Sequence, residues 1–438
     1  MFNRIKKSCP GIITLVGGMQ CEDEMAEGLA SLSDAIDYVF SGEIELSFDD
    51  FLEKYTTGQL PSERIIRGNP VRDLDALPLP DYESFFTQFQ CFFGNDAPGE
   101  LIISYETSRG CWKGQKKRCA FCGMNSDERI KYRYKKAQKV AKEVEEINRR
   151  YPGTRLFMND HIFPSSYYSE LLPLLKPNKE FSIRYEVLPN IKREELIALK
   201  SAGIDRIQPG IEALSTPLLD LMHKGIPAHR NILLLRDALS VGIFVYWYLL
   251  WGFPGDKVSD YEETLKMLPL LRHLQPPAML SHIRFERFSD YVEKPGKHQV
   301  NNLRPWAVYN MVYPDWADID KLANLFTGEY PCESHDNPGL IKEIADEIET
   351  WQKSWRKVNL NMIEMAGYYC ILDSRGINGE DKNYTLDYPQ AKEVMQHGAY
   401  NGCEYQKWAV EQKLGVVVDS FYVPLVTASP ELLLKLES

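Results

Sequence analysis

The sequence predicts an α/β protein built on an open parallel sheet of six strand–helix units, a partial (β/α)6 relative of the eight-stranded TIM barrel. Three observations predict it. From residue 100 onward, short apolar runs alternate with helical periodicities, the order that builds parallel sheets. The segment 134–150 sets Ala137, Val140, Ala141, Val144 and Ile147 on one helical face. Ahead of that region, residues 12–40 already read strand, helix, strand.

Taken in order, IITLVGG at 12–18 reads as a buried strand ending in a glycine turn at Gly17 and Gly18. A helix over 21–32 and the strand IDYVF at 36–40 follow. Ser47 and Asp50 are candidate caps for the next helix, which carries Phe48, Phe51 and Leu52. Residues 58–82 hold Pro61, Pro70, Pro78 and Pro80 with few periodic apolar positions, so they read as a linker laid over the surface. ELIISYE at 100–106 opens the central domain, and further strands fall near 155–159, 181–187, 204–210, 243–251 and 280–287. Asn190 is placed to cap the helix beginning IKREEL, and Ser259 with Glu262 makes a capping box. In barrels of this kind, active residues gather at the carboxyl ends of the strands. The tail changes rhythm: an acidic helix near 339–355 precedes strand-like segments at 366–373 and 415–426, a small α+β domain. The expected boundaries are 1–57, a linker over 58–99, 100–315 and 316–438.

At 438 residues the chain has ample apolar content for two or three domains. A net charge of −11 argues against a general nucleic-acid binder, which needs a basic face. No run of about 18 apolar residues is present, so no membrane span is expected. The apolar run after MFNRIKKSCPG is too short for a secretion signal. Nine cysteines, three clustered and six scattered, do not make a disulfide framework, and the expected compartment is the cytoplasm.

The clustered three are Cys111, Cys119 and Cys122 in SRGCWKGQKKRCAFCGMN. Three thiolates can hold three irons of a [4Fe–4S] cube and leave the fourth iron open, whereas an electron-carrying cluster normally takes four protein thiolates. A structural zinc site wants four ligands, usually as two close pairs, and the nearest histidine, His161, is far along the chain. Spacing alone favours the iron–sulfur reading and leaves zinc and inert thiols as alternatives.

ETSRGCWKGQKKRCAFCGMN resembles the cluster loop of radical S-adenosylmethionine (radical SAM) proteins. It is closest to the variant with seven residues before the CxxC, found in proteins that mature ribosomally made peptides (RiPPs). Phe121, the aromatic before the last cysteine, fits the superfamily pattern. YEVLPN at 185–190, IQPGIEALS at 207–215, LLWGFPGD at 249–256, HLQPP at 273–277 and RFERFSDY at 284–291 continue the resemblance in the family's order over about 100–315.

The resemblance implies a [4Fe–4S] cluster on the three cysteines and S-adenosylmethionine on its free iron. It implies that Glu186 takes the methionine amine, Glu212 the methionine or ribose, Lys224 the methionine carboxylate and Asp160 the amine slot. Gly252, with Gly255, lies near the adenine. Each strand-end carboxylate has a plainer reading as a helix cap. Tyr105, Trp112 and Tyr185 either wall the radical cavity or simply pack. Arg284 and Arg287 hold anions or are salt-bridged. Lys113, Lys116, Lys117 and Arg118 are solvated or receive an electron donor. His161 and Leu188 stand where the family commonly has asparagine and lysine, which leaves the exact reaction open.

Residues 1–57 resemble the end of the cobalamin-binding Rossmann-like domain of relatives. Its earlier strands are missing, so a packed remnant is expected in preference to a cobalamin site. The tail resembles a small winged-helix-like domain, either a packing lid or a reader of a leader peptide by strand addition. The expected partners are a precursor peptide and an electron donor such as flavodoxin or ferredoxin. The expected activity is C-methylation, with cobalamin-independent epimerisation or crosslinking as the alternative. The non-enzymatic alternative is a degenerate peptide-binding partner.

Overall fold

The structure is a computed structural model that describes residues 1–94, 101–124, 131–176, 182–377 and 379–437. Glu100 and Phe181, the first residues of two expected strands, lie outside the described residues. The chain divides into two compact units. The larger comprises Asp75–Lys117, Tyr134–Ile283 and Cys332–Ser438; the smaller comprises Met1–Leu74, Arg118–Arg133 and Arg284–Pro331.

In the larger unit, β1 (Ile102–Tyr105), β2 (Arg155–Met158), β3 (Ser182–Val187), β4 (Ile204–Pro209) and β5 (Phe244–Val245) pair in parallel in that order. The expected strand at 243–251 is interrupted. After Tyr246–Tyr248 it resumes as β6 (Leu249–Trp251), which pairs in parallel with β7 (Leu280–His282). A parallel bridge from Glu212 to Leu249 links β6 to the chain leaving β4. This is a mixed α/β fold around a central parallel sheet. Along β3 the pleat sends Ile183, Tyr185 and Val187 into the core and leaves Ser182, Arg184 and Glu186 half-buried on the other face.

The helix Ala137–Arg150 buries Ala137, Val140, Val144 and Ile147 as its spacing predicts, but Ala141 is only half-buried and Glu143 takes its place in the core. That carboxylate is paired with Lys135 at 3.0 Å and Lys139 at 2.9 Å, and it accepts from the Tyr105 hydroxyl. Burial pushes the Glu143 pKa up, but these partners outweigh it and hold the group below the usual carboxylate range.

Two expected caps are displaced. Asn190 lies ahead of the actual cap, Lys192, whose N–H donates to Glu195 at 2.8 Å. The helix Val258–Met267 starts before Ser259, and its Val258 N–H donates to Glu333 at 3.0 Å, a partner too distant in sequence to foresee. The tail supplies the helix Pro338–Ser354 and two three-stranded antiparallel sheets. Its last helix, Pro430–Glu437, is held by Glu437 against Arg193 at 2.7 Å and the fully buried Arg236 at 3.1 Å.

His273 is buried, with Nε2 2.8 Å from the Leu425 carbonyl. Burial, assisted by Arg375, pushes its pKa down to about 3. A lowered histidine pKa means that the neutral ring is the folded form, so its stabilisation is present above the ordinary value of about 6.5 and is lost as pH falls from there toward 3. His273→Gln, which does not titrate, is expected to be less pH-sensitive by about 2 kcal/mol near pH 5. Urea unfolding at a series of pH values checks this; parallel acid limbs would refute it.

In the smaller unit, strands Leu15–Val16, Tyr38–Ser41 and Ile65–Arg67 form a parallel sheet, with helices Glu24–Ser31 and Glu45–Thr56 between them. Two expectations are corrected here. Ser47 and Asp50 lie inside the second helix: Ser47 donates back to the Ile44 carbonyl at 3.1 Å, and Asp50 pairs with Lys54 at 2.6 Å. The stretch read as a linker contributes the strand Ile65–Arg67 here, and in the larger unit it contributes the helix Glu83–Phe93. The expected last strand of the central domain also ends early. Phe285–Glu286 pairs antiparallel with Leu325–Glu329, beside Asn301–Pro305, within the smaller unit. Among the described residues no helix is long and apolar enough to cross a membrane.

Candidate active site

The carboxyl ends of β1 to β6 bring several of the expected residues together. Asp160, just past β2, is buried. Its carboxylate accepts from the Thr107 N–H at 2.7 Å, from the Thr107 hydroxyl and from the Ser108 hydroxyl at 2.6 Å. Thr107 Oγ1 also lies 3.1 Å from the Tyr185 hydroxyl. Burial is the larger influence on Asp160 and pushes its pKa up to about 6 against these donors. Asp160 is therefore turned inward and ties the end of β1, where the cysteine loop begins, to the end of β2.

Glu186 is half-buried at the end of β3. Burial raises its pKa; Arg184 opposes the shift, and the charges of Glu212 and Asp160 reinforce it. Glu212 has a φ of +57°, a left-handed conformation that costs a side-chain-bearing residue. The segment is pinned there by the Leu250 N–H, which donates to the Glu212 carbonyl at 2.8 Å. Lys224, buried, reaches the Glu212 carboxylate at 3.4 Å. A Cβ at Gly210 would stand 2.5 Å from Lys224 Nζ, so a side chain there would displace the lysine tip from its present position.

Gly252, with φ +86°, follows β6. A Cβ there would meet the His282 ring at 2.6 Å. The Nε2 atoms of His282 and His335 are 2.8 Å apart, and both rings stand edge-on to Trp251. His335 is carried on a segment fastened by Asp256, which accepts from the Ser334 hydroxyl at 2.6 Å and from the Tyr261 hydroxyl at 2.8 Å. Sequence reasoning missed this pair because nothing in the spacing joins positions so far apart.

Other expectations resolve toward packing. Tyr105 and Tyr185 are fully buried; Tyr105 donates to Glu143 of the helix Ala137–Arg150, and Tyr185 stands edge-on to Phe163. The Trp112 indole N–H donates to the Phe163 carbonyl at 3.3 Å. In the smaller unit, Arg287 pairs with Glu24 at 3.0 Å and donates to the Ala323 carbonyl at 2.7 Å, while Arg284 lies over the Trp306 ring at 4.4 Å. Arg118 pairs with Asp290 at 2.7 Å and Glu293 at 2.5 Å, and Lys113 donates to the His223 carbonyl at 3.2 Å. Lys116 and Lys117 are exposed. His161 is exposed and Leu188 half-buried.

All three clustered cysteines are of intermediate exposure, and none is in a disulfide among the described residues. The division between units runs through their loop: Cys111 belongs to the larger, Cys119 and Cys122 to the smaller. Cys111 caps the short helix Trp112–Lys116, with Sγ accepting from the Gly114 N–H at 3.4 Å. Cys119 and Cys122 bracket a turn closed by a 3.2 Å bond from the Cys122 N–H to the Cys119 carbonyl; it carries the buried Ala120 and the half-buried Phe121. Gly123 has no room for a side chain, since a Cβ would stand 2.2 Å from the Arg287 carbonyl, and its N–H donates to Glu286 at 3.0 Å. Among the described residues no three His, Cys, Asp or Glu side chains gather as ligands of one ion. Three thiolates at this sequence spacing suit a cube, which takes them on separate irons, whereas a structural zinc site takes four ligands.

Residues 105–268 match the sequence model of the Radical SAM superfamily. The chain is 23% identical over 248 residues to the uncharacterised methyltransferase PH0819 of Pyrococcus horikoshii, covering 53% of this chain and 52% of that protein. Among solved structures it is similar to OxsB, a cobalamin-dependent S-adenosylmethionine radical enzyme. With aqua-cobalamin and S-adenosylmethionine bound to OxsB, the TM-score is 0.57 at 16% identity, over 81% of this chain and 55% of that one. The apo form of OxsB gives 0.54 at 15% identity, over 81% and 59%. The chain thus spans about half the length of these relatives.

Proposed function

We propose that this chain, whose residues 105–268 match the Radical SAM superfamily model, is an enzyme that cleaves S-adenosylmethionine reductively at a [4Fe–4S] cluster to modify a ribosomally made peptide. The observation that carries the reading is the three-cysteine loop inside the matched segment, together with Glu186 at the end of β3 and the Glu212–Lys224 pair after β4. Cys111, Cys119 and Cys122 would hold three irons. The bound cluster and S-adenosylmethionine supply a 5′-deoxyadenosyl radical able to take hydrogen from unactivated carbon. The half-buried Glu186 accepts the methionine amine, Lys224 pairs with the methionine carboxylate beside Glu212, and Gly252 borders the adenine. Phe121 shields the cysteine turn. Asp160 acts by fixing the loop. The electron comes from a small donor such as flavodoxin or ferredoxin, in a cytoplasmic setting that keeps thiols reduced.

C-methylation is the favoured reaction. It is supported by the resemblance of the motifs over 100–315 to RiPP-maturing proteins and by the similarity to the uncharacterised methyltransferase PH0819. A second reading is epimerisation or crosslinking without cobalamin. Incubating anaerobically reconstituted protein with reductant, S-adenosylmethionine and a candidate peptide, with and without cobalamin, separates them. Methylation yields S-adenosylhomocysteine beside 5′-deoxyadenosine and depends on cobalamin. Cleavage with no S-adenosylhomocysteine would refute methylation.

Glu186→Gln removes a carboxylate from an amine site while keeping its shape. It is expected to weaken S-adenosylmethionine binding about ten-fold or more, the size of one charge-assisted hydrogen bond in a half-buried site. Equilibrium binding with unchanged iron content is the readout, and wild-type affinity would remove Glu186 from this role.

A further inference from the structure

The sheet face that carries Glu186 also carries two arginines set opposite each other in register. Strands β3 and β4 pair Ile183 with Ile204 and then Arg184 with Arg206, so Asp205 is an extra residue, a β-bulge. Regular pairing would set Asp205 opposite Arg184, an ion pair. Instead the Asp205 carboxylate accepts from the Ser182 hydroxyl at 2.5 Å, and two cations stand across the ladder from each other. Like charges directly opposite on neighbouring strands destabilise a sheet, and bulges are a device for re-aiming a side chain near a site.

The surroundings hold the guanidinium planes and leave edges open. Phe157 is paired with Arg184 in register and Phe244 with Arg206. Arg184 lies 4.5 Å from the Phe157 ring centre and 4.9 Å from that of Tyr246; Arg206 lies 5.4 Å from that of Phe244. Arg184 donates one N–H to the Gln208 side chain. The Nε atoms of both arginines have no hydrogen-bond partner, and neither arginine forms an ion pair with a carboxylate among the described residues. Burial is the main cause of a lowered Arg184 pKa, and the Arg206 charge adds to it while Glu186 opposes it.

We infer that Arg184 and Arg206 form an oxyanion site that takes a carboxylate or phosphate group of the substrate. Two forked guanidinium groups stacked on aromatic rings suit bidentate binding of such a group, and the anion would relieve the repulsion built in by the bulge. The inference rests on the enzymatic reading above and deepens it: the anion is anchored one residue row from Glu186, about 7 Å along the strand, beside the proposed S-adenosylmethionine site.

Thermal unfolding of the full chain, reconstituted anaerobically, tests it with succinate, with inorganic phosphate and with sodium chloride at matched ionic strength. A specific oxyanion is expected to raise Tm by about 2 °C or more over chloride. A response to succinate alone assigns a carboxylate, and a response to phosphate alone assigns a phosphate. In Arg206→Gln the free protein is expected to melt no lower than wild type, because the repulsion is gone, and the oxyanion shift is lost. Arg206→Lys keeps the charge without the fork and is expected to bind about ten-fold more weakly. The inference is overturned if wild type shows no oxyanion-specific rise, if the rise survives in Arg206→Gln, or if that variant melts lower or misfolds, which would make the arginine a packing element. S-adenosylmethionine cleavage by wild type is followed in parallel. Its absence would sink the enzymatic reading while the oxyanion result stands on its own, and the reverse outcome is equally distinct.

Discussion

Replacing any one of Cys111, Cys119 or Cys122 with alanine is expected to bleach the reconstituted protein and to cut 5′-deoxyadenosine release by about 10³-fold or more. A cube held by only three protein thiolates has none to spare, so losing one leaves two irons open. The turn around Cys119 and Cys122 gives a further reason: its geometry is fixed by the 3.2 Å backbone bond and by Gly123, which admits no side chain. A loss of about 10³ corresponds to roughly 4 kcal/mol of barrier, far beyond what a surface substitution causes. Cys91→Ala, at an exposed thiol away from the loop, is the matched control and is expected to keep colour and turnover. Iron and sulfide content, absorbance and product release are read together. A Cys119→Ala protein that keeps full iron and full cleavage would refute the assignment.

Asp160→Ala is expected to destabilise the larger unit by about 3 kcal/mol or more and to lower its iron content. The carboxylate is buried and serves the Thr107 N–H, the Thr107 hydroxyl and the Ser108 hydroxyl at once. Alanine removes the acceptor of all three donors; the Thr107 hydroxyl keeps the Tyr185 hydroxyl at 3.1 Å, and an unsatisfied buried polar group costs about 1–3 kcal/mol each. Thr107 and Ser108 lead directly into Cys111, so loosening them disorders the approach to the first cysteine. Asp160→Asn, which keeps one acceptor oxygen, is expected to fall between wild type and alanine. Urea midpoints with iron analysis measure both effects. If Asp160→Ala unfolds with wild-type stability, the buried network is not the anchor described.

Sequence periodicity located the core of the fold because parallel strands and their helices advertise themselves locally. The apolar runs near 155–159 and 204–210 coincide with β2 and β4, and the acidic helix near 339–355 is Pro338–Ser354. What stayed hidden depends on distant partners. Phe285–Glu286 leaves the parallel sheet for Leu325–Glu329, which no local pattern signals. The Asp205 bulge is invisible too, since IDRIQP scans as an ordinary strand until its register with β3 is known. Glu143 broke the helical pattern because its cost of burial is offset by Lys135, Lys139 and Tyr105. The motifs put Glu186 and Gly252 at strand ends, and the structure has them at the end of β3 and just after β6. The inward turn of Asp160 and the His282–His335 contact were not legible, since both are set by tertiary packing.

The account stands most directly on the metal content and electronic state of anaerobically reconstituted protein. It predicts about four irons per chain, and a reduced-cluster electron paramagnetic resonance signal that changes on adding S-adenosylmethionine, because the ligand reaches the iron no cysteine holds. Protein that stays colourless and takes up stoichiometric zinc through the same cysteines, or a cluster signal indifferent to S-adenosylmethionine, would contradict it.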